Sequence, residues 1–217
     1  MQIHHLSENN SVLNHFLEQI RNEKVQGDRM RFRRNIERIG EVMAYEMSKK
    51  LQYKAVEIQT PLGIKKSELI HDRLVLCTIL RAGLPLHNGF LNYFDSAENG
   101  FISAFRHHPN NDGHFEIIVQ YQAFHNIQDK CLILVDPMLA TGKSIVAVLN
   151  KLMEDRKPKE IHIAVVIASP EGIAHLEENL PDCCHLWIAS LDEKLNENDY
   201  IIPGLGDAGD LAFGEKL

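Results

Sequence analysis

A series of short apolar runs, separated by segments with helical spacing, constrains the fold of this chain most strongly. The runs "LVLCTIL", "CLILV" and "IHIAVVIA" are each followed by a stretch in which apolar residues recur every three or four positions. Short runs without polar interruption are typical of strands buried on both faces, and their alternation with helices is typical of parallel sheets. The pattern, which continues in "FISAF", "FEIIV" and "HLWIA", predicts an α/β fold with a mainly parallel sheet flanked by helices.

The front of the chain has a different pattern. The segments "SVLNHFLEQIRNE" and "RFRRNIERIGEVMAYEMSKKL" carry apolar stripes at helical spacing, and "AVEIQT" with "TPLGIK" predicts two short strands that form an arm. A chain of 217 residues is long enough for one domain and short for two. We therefore expect a single domain over 1–217 that includes an N-terminal helical extension over 1–30.

Composition excludes several classes of protein. The net charge of −7 argues against a nucleic-acid-coating protein, because such binding depends on Lys and Arg that neutralise phosphates. No apolar run approaches the roughly 18 residues of a membrane span, and "MQIHHLSENN" lacks the features of a signal peptide, so we expect a cytoplasmic protein. The four cysteines form no CxxC pair, which favours reduced structural thiols: Cys77, Cys131, Cys183 and Cys184.

The stretch "VDPMLATGKS" is similar to the end of a nucleotide-binding P-loop, G-x-x-x-x-G-K-[ST]. The first glycine of that motif would fall at position 137, where this chain has Pro137. Proline has no amide hydrogen and a fixed φ, so it cannot begin a loop that wraps phosphates with successive N–H groups. The sequence therefore argues against an ATP-using kinase.

The same stretch still places a small-residue loop between an apolar strand and a helix. Unpaired amides and the helix dipole at such a point form a site for one phosphate group. Thr141, Ser144 and the amides of Gly142 and Lys143 are placed to bind it, and Asp136 to accept hydrogen bonds from sugar hydroxyls. An ordinary turn capped by Thr and Ser explains the pattern equally well.

Two arginines follow neighbouring predicted strands. Arg81 stands in "ILRAG" and Arg106 in "SAFRHH", each directly after an apolar run. Guanidinium groups bind phosphate oxygens in pairs, so the two predict a pyrophosphate site, with surface ion pairs as the alternative. The loop after Arg106 holds His107, His108 and His114, which suit either a mobile flap over a phosphorylated substrate or, less well because of their irregular spacing, a metal site.

The C-terminal segment "YIIPGLGDAGDLAFGEKL" is rich in glycine and has no helical period. Glycines let backbone N–H and C=O groups approach a planar ligand closely, so this segment suits a hood over a small base. A frayed terminus is the alternative, but Ile201, Ile202, Leu205 and Phe213 are too apolar to lie in water.

The strings "ILRAG", "VDPMLATG", "SPEGI" and "LNENDYIIPGLGDAGD" together resemble the uracil phosphoribosyltransferases, a branch of the type I phosphoribosyltransferase family. The likeness runs from about residue 31 to the end of the chain. It implies a type I phosphoribosyltransferase fold with a β-arm and, over 195–217, a uracil-binding hood. It also implies transfer of the phosphoribosyl group from 5-phosphoribosyl-1-pyrophosphate (PRPP) to uracil, with Mg²⁺, giving UMP and pyrophosphate.

The resemblance also implies residue roles. Arg81, Arg106 and Asp207 would act on the reacting groups, with Mg²⁺ held through PRPP and Asp207 and not by a direct protein cage. The uracil site would be lined by Ile201, Gly206, Asp207 and Ala208. PRPP would be bound by Arg81, Arg106, Asp136, Pro137, Met138, Leu139, Ala140, Thr141, Gly142, Lys143, Ser144 and Asp207.

The family further implies a homodimer or larger homo-oligomer and, in some members, GTP as an effector. We expect Lys143 to point to solvent and add little to phosphate binding. Two alternatives share the fold: a non-catalytic regulator that keeps the PRPP site, and a transferase with a different base preference.

Overall fold

The structure is a computed structural model that describes residues 1–107, 116–124 and 126–215, with side chains described outside 105–122. An eight-stranded sheet forms its centre, in the order β1-β10-β9-β7-β4-β5-β6, with β8 paired to β9. The described strands of this sheet run parallel except β6, which is antiparallel to β5. The predicted α/β fold with a mainly parallel sheet is confirmed. Its strands are β1 (Gln2–His5), β4 (Leu74–Leu80), β5 (Glu98–His107), β6 (Glu116–Ala123), β7 (Cys131–Val135), β8 (Met138–Leu139), β9 (Glu160–Ala168) and β10 (Cys184–Leu191).

Helices cover both faces of the sheet, as the doubly buried strands require. One hydrophobic cluster joins the sheet to the first three helices, and its residues include the predicted stripe of α2 from Phe32 to Met47. The other cluster joins the opposite face to α4 and α5. The helices are α1 (Leu13–Arg21), α2 (Arg29–Ser48), α3 (Leu84–Leu91), α4 (Lys143–Met153), α5 (Pro170–Asn179) and α6 (Ala208–Phe213).

Helices α2 and α3 cross at two glycines. A Cβ atom built on Gly89 would stand 2.1 Å from the carbonyl oxygen of Glu37, and one built on Gly40 would stand 2.7 Å from that of Leu86. Both distances are far below van der Waals contact, so the crossing depends on the absence of side chains at these positions. This crossing fixes α3 directly behind the turn that ends β4.

The predicted arm is a two-stranded antiparallel hairpin of β2 (Tyr53–Thr60) and β3 (Gly63–Ile70). Most of its residues are exposed, including large apolar ones. A further antiparallel pair, β11 (Lys194–Leu195) and β12 (Ile201–Ile202), opens the C-terminal segment. Among the described residues, no helix has both the length and the apolar character needed to cross a membrane.

Two elements differ from the sequence prediction. The N-terminal segment, expected to be helical, begins with strand β1, which pairs with β10 at the edge of the sheet. The C-terminal segment, expected to lack a helix, contains α6, which is six residues long. Both are too short for periodicity to reveal them, and each is stabilised by contacts with parts of the chain distant in sequence.

Candidate active site

A cavity of about 540 Å³ lies beyond the carboxyl ends of β4 and β7. The carboxyl edge is where open parallel sheets bind ligands, because the loops from successive strands meet there. Three segments converge on the cavity: the turn after β4, the loop from β7 to α4, and the C-terminal hood over 195–217. Of the residues predicted from sequence, the cavity is lined by Arg81, Asp136, Met138, Ala140, Thr141, Gly142, Ser144, Ile201, Gly206, Asp207 and Ala208.

Pairing of β8 with β9 decides which residues of the loop from β7 to α4 face the cavity. Side chains alternate along an extended segment, so Asp136, Met138 and Ala140 line the cavity while the residues between them face away. Pro137 accepts hydrogen bonds at its carbonyl from the amides of Val166 and Ile167, at 3.1 and 3.0 Å. Leu139 is fully buried. These two predicted PRPP-binding residues, like the exposed Lys143, are not among the lining residues.

Gly142 closes this loop at the start of α4. Its φ of 75° is in the left-handed region, which favours glycine. It is also the N-cap residue, and the structure describes no side-chain hydrogen bond that caps α4 there. In the part of the chain that the structure describes, α4 thus begins at a glycine and not at a capping Thr or Ser, which favours the anion site over the ordinary capped turn.

Helix α5 supports the loop from behind. The Ser169 hydroxyl donates a hydrogen bond to the carbonyl oxygen of Ala140 at 2.7 Å and accepts one from the Gly172 amide at 2.9 Å. A Cβ atom on Gly172 would stand 2.2 Å from that same Ala140 oxygen, so no side chain fits there. The "SPEGI" segment thus holds the loop in place by a buried hydroxyl and a close backbone approach.

Asp136 is the half-buried acid at the tip of β7. Burial raises the pKa of its carboxyl to about 7, and a hydrogen bond from the Met138 amide opposes this only weakly, at 3.4 Å. A carboxyl with a pKa near 7 is present in both its protonated and its ionised form at neutral pH. It can accept hydrogen bonds from hydroxyl groups once it is ionised.

Arg81 follows β4 directly and reaches the hood. Its Nη2 donates hydrogen bonds to Asp210 Oδ1 at 2.9 Å and to the Gly214 carbonyl oxygen at 3.1 Å. The backbone of Arg106 lies in β5, paired with Ile117, but its side chain falls outside what the structure describes. The structure therefore brings one of the two predicted arginines to the cavity and does not describe the other's guanidinium.

A partly buried ion pair anchors the hood to α1. Arg21 donates to both carboxylate oxygens of Asp192, at 2.8 and 2.5 Å, and to the Gly204 carbonyl oxygen at 2.9 Å. Asp192 also accepts from the Gly204 amide at 2.8 Å. Since Asp192 is almost fully buried, its charge requires this bidentate partner. Within the hood, Asp207 caps α6 by accepting from the Asp210 amide at 2.9 Å.

The predicted hood over 195–217 includes the loop that precedes β12, but sequence reasoning did not name the residues of this loop that line the cavity. Asn198, Asp199 and Tyr200 line the cavity, and Asp199 has a φ of 62°, which is uncommon outside glycine. The Asn196 side chain holds the loop by accepting from the amides of Asn198 and Tyr200, each at 2.9 Å. The Asn- and Asp-rich string "NENDY" was the available signal for such a turn.

A second cluster of polar side chains lies at the opposite, amino-terminal edge of the sheet. Cys131 Sγ, a Glu160 carboxylate oxygen and a His162 nitrogen lie within 4.8 Å of one another. Trp187 Nε1 donates a 3.1 Å hydrogen bond to Nδ1 of His162, which leaves the proton of the neutral ring on Nε2. The nitrogen nearest Glu160 is therefore not available as a metal ligand in this arrangement.

The histidines of the alternative metal site lie largely outside the description. His107 ends β5, and only its backbone is described; His108 and His114 fall within 108–115, which the structure does not describe. The flap prediction rests on the same residues and stays a prediction. All four cysteines are free thiols, and Cys183 is exposed while the other three are buried.

Comparisons with known proteins agree with the geometry. Residues 7–215 match the family model for uracil phosphoribosyltransferase. A uracil phosphoribosyltransferase of Porphyromonas gingivalis is 50% identical over 217 residues, which is 100% of both chains. One from Methanococcus maripaludis is 40% identical over 195 residues, covering 88% of this chain and 82% of its own.

The fold comparison points the same way. The AQ2163 protein from Aquifex aeolicus superposes with a TM-score of 0.87 at 28% identity, over 98% of each chain. The match therefore extends over nearly the whole length of both molecules. Because the family model covers residues 7–215 and the sequence likeness spans the full length, this chain belongs to the uracil phosphoribosyltransferase family.

Proposed function

We propose that this protein transfers the 5-phosphoribosyl group of PRPP to uracil, giving UMP and pyrophosphate. One observation carries the proposal. A phosphate-type loop, a strand-end arginine and the C-terminal hood, three segments far apart in sequence, line a single cavity. Such a cavity can hold a sugar phosphate, a leaving group and a base side by side.

The loop from β7 to α4 would bind the ribose 5-phosphate. Thr141 and Ser144 line the cavity beside the first turn of α4, and both their hydroxyls can donate to phosphate oxygens. Asp136 lines the cavity directly after the end of β7 and would accept hydrogen bonds from the ribose hydroxyls. Its pKa near 7 means that this role strengthens as the pH rises through neutrality.

Arg81 would stabilise the pyrophosphate as it departs. Breaking the bond at the anomeric carbon leaves positive character on the sugar ring and negative charge on the leaving group, and a guanidinium positioned there stabilises that charge. The resemblance assigns a parallel role to Arg106. The uracil nitrogen would attack from the opposite face of the sugar, so the reaction requires no protein nucleophile.

The carboxylates of this site fit a hard divalent cation. Asp136 and Asp207 both line the cavity, and carboxylate oxygens are the ligands that Mg²⁺ prefers when it also binds substrate phosphates. When bound with PRPP, Mg²⁺ would neutralise charge on the pyrophosphate oxygens. Asp207 is the residue that we expect to meet it, because it begins the hood helix beside Arg81.

The hood would bind uracil. Ile201 is buried on β12, while Gly206, Asp207 and Ala208 line the cavity where the backbone enters α6. Backbone N–H and C=O groups at these positions can pair with the edge of a pyrimidine. Asn198 and Tyr200 stand on the loop before β12 and extend the same wall of the cavity.

The decisive experiment measures UMP formation from uracil, PRPP and Mg²⁺ by the purified protein, with cytosine, orotate and xanthine as competing bases. We expect UMP from uracil and no corresponding nucleotide from the other three bases. Asp207→Asn should lower kcat at least about 100-fold, the scale of losing a group that acts on developing charge. Asp95→Asn, the same change at an exposed site outside the cavity, serves as the matched control. PRPP binding without UMP release would favour the regulatory alternative, and UMP-like product from another base would favour altered specificity.

We also propose that the protein acts as a homodimer or larger homo-oligomer, with the β2–β3 arm as the interface. Leu62 at its tip is fully exposed and Ile64 is 65% exposed, which is unusual for large apolar side chains on a free hairpin. Light scattering should show a smaller species for the double change of Leu62 and Ile64 to Asp.

Adding GTP to the activity assay tests whether this member has the effector response that the family resemblance implies.

A further inference from the structure

Arg81 is already engaged by the hood in this structure. Its Nη2 lies 2.9 Å from Asp210 Oδ1 and 3.1 Å from the Gly214 carbonyl oxygen. Arg81 and Asp210 are separated by 129 positions in sequence, and both side chains are about one-third exposed. Among the described residues, the Nε of Arg81 is buried and has no hydrogen-bond partner. The guanidinium is thus held at one nitrogen by the hood and lacks a partner at another.

The Asp210 carboxylate is held in place by its position on α6. The helix is capped at Asp207, whose side chain accepts from the Asp210 amide. Asp207 lines both this cavity and a smaller neighbouring one, whereas Asp210 lines the smaller one. The two acids therefore have different neighbours: Asp207 faces the proposed substrate site, and Asp210 neutralises the arginine.

A pyrophosphate at Arg81 would meet a guanidinium whose charge is already balanced. An anion that binds there must share Nη2 with Asp210 or displace it, and in either case its own charge lies close to the Asp210 carboxylate. Like charges at such a distance repel, so the Arg81–Asp210 pair weakens anion binding while it ties the hood to the turn after β4.

We propose that Asp210 is a positioning residue that competes with pyrophosphate for Arg81 and, through the same contact, holds the hood over the base site. This inference rests on the proposed function, because it assumes that pyrophosphate binds at Arg81. With the leaving group present, the arginine binds the anion; after its departure, Asp210 takes the guanidinium again. The competition would favour release of pyrophosphate and couple that release to the hood.

The inference predicts opposite effects on two ligands. Asp210→Asn keeps the size of the side chain and removes its charge, so pyrophosphate with Mg²⁺ should bind about two- to fivefold more tightly, the scale of a partly exposed ion pair. The affinity for uracil should fall by a similar factor, because the hood loses its contact with Arg81. Asp210→Glu keeps the carboxylate and should return both values toward those of the wild type.

Asp199→Asn is the matched control. Asp199 also lines the cavity, so Asp199→Asn removes the same single charge from the site but leaves the Arg81–Asp210 pair intact. Isothermal titration calorimetry with pyrophosphate and Mg²⁺, and separately with uracil, is run on the wild type and all three variants, and thermal unfolding checks that each is folded. Asp210→Ser is the second neutral variant if Asp210→Asn does not fold.

Tighter pyrophosphate binding by Asp210→Asn than by Asp199→Asn, with weaker uracil binding, supports the inference. An equal rise in pyrophosphate affinity in Asp210→Asn and Asp199→Asn would overturn the inference, because it would show only a general effect of charge. Weaker binding of both ligands would mean that Asp210 only stabilises the hood, and weaker pyrophosphate binding alone would mean that Asp210 assists the magnesium complex; either result overturns the competition. Calorimetry does not require turnover, so the competition can stand where UMP formation fails, or fail where UMP formation is observed.

Discussion

The Ser169 hydroxyl joins α5 to the proposed phosphate loop, through its 2.7 Å hydrogen bond to the Ala140 carbonyl oxygen. Ser169→Ala would leave that carbonyl without its donor and the Gly172 amide without its acceptor. We expect the KM for PRPP to rise about tenfold and the free energy of unfolding to fall by about 1–2 kcal/mol. The KM for uracil should change little.

Steady-state kinetics with each substrate varied in turn measures the effect. Ser48→Ala is the matched control, because the Ser48 hydroxyl also donates to a backbone carbonyl at 2.7 Å but lies at the end of α2. Equal rises in both KM values for Ser169→Ala would show that the hydroxyl supports the whole site and not the loop in particular.

We expect the buried His162 to lower the free energy of unfolding in acid. It is fully buried, and burial with the neighbouring His185 and His4 lowers its pKa to about 3, against 6.5 in the unfolded chain. Between these values the unfolded chain binds a proton that the folded protein does not, so stability is full above pH 6.5 and falls as the pH drops toward 3. The slope from this group is at most about 1.4 kcal/mol per pH unit.

Urea unfolding at intervals from pH 7.5 to 4.5 tests this effect. His162→Gln can still accept the Trp187 hydrogen bond but does not titrate, so its stability should depend less on pH over this window than that of the wild type. Parallel curves for the two proteins would assign the acid sensitivity to other groups.

Asp136 predicts the opposite dependence. Its pKa is raised to about 7 in the folded protein against 3.8 in the unfolded chain, so the folded protein holds a proton that the unfolded chain has lost. Stability from this group is full below pH 3.8 and is lost as the pH rises to about 7. Asp136→Asn should therefore be more stable than the wild type at pH 7 to 8, with a difference that grows from pH 4 and levels off above pH 7.

The same variant should bind PRPP more weakly, because the amide presents a single acceptor oxygen without charge to the ribose hydroxyls. Denaturation curves and PRPP titrations on one preparation measure both effects. A variant that loses stability at pH 8 would contradict the raised pKa, since it would show that the ionised carboxylate stabilises the fold.

We expect a single methyl group added at Gly89 to lower the stability of the fold strongly. A Cβ atom at this position would stand 2.1 Å from the Glu37 carbonyl oxygen and 2.9 Å from the Glu41 amide nitrogen, so α3 would have to move away from α2. Gly89→Ala should lower the free energy of unfolding by about 1–3 kcal/mol or more, as overpacking does elsewhere. Gly27→Ala, whose Cβ would have no heavy atom within 4 Å, is the control and should stay within about 0.5 kcal/mol.

Lys143 tests the P-loop resemblance directly. Its side chain is exposed and is not among those that line the cavity, whereas Thr141 is. Lys143→Gln should therefore change the KM for PRPP by less than about threefold, the scale of a rim charge, while Thr141→Val should raise it more. A loss of affinity for Lys143→Gln that matches or exceeds that of Thr141→Val would assign a phosphate contact to the lysine.

The strength of the local patterns explains how much of the site the sequence predicted. Apolar runs such as "CLILV" and "IHIAVVIA" gave the buried strands nearly residue by residue, because a strand between two helical layers has no polar position to interrupt it. Arg81 and Asp136 follow two such strands, so their convergence at one edge of the sheet was predictable. The predicted hood included Asn198 and Tyr200, but their individual contact with the cavity was not predictable, because a turn string shows where the chain bends and not which side chains face a cavity.

The sequence by itself determined the α/β class, and it predicted that the loop between β7 and α4 and the hood would lie at one site, where both line the cavity. Tertiary structure decided the rest. Pairing of β8 with β9 turned Asp136 toward the cavity and Pro137 away from it. The hydrogen bond between Arg81 and Asp210 joins residues that are 129 positions apart in sequence. Periodicity is a property of neighbouring residues, whereas a contact between distant residues exists only once the elements between them have packed.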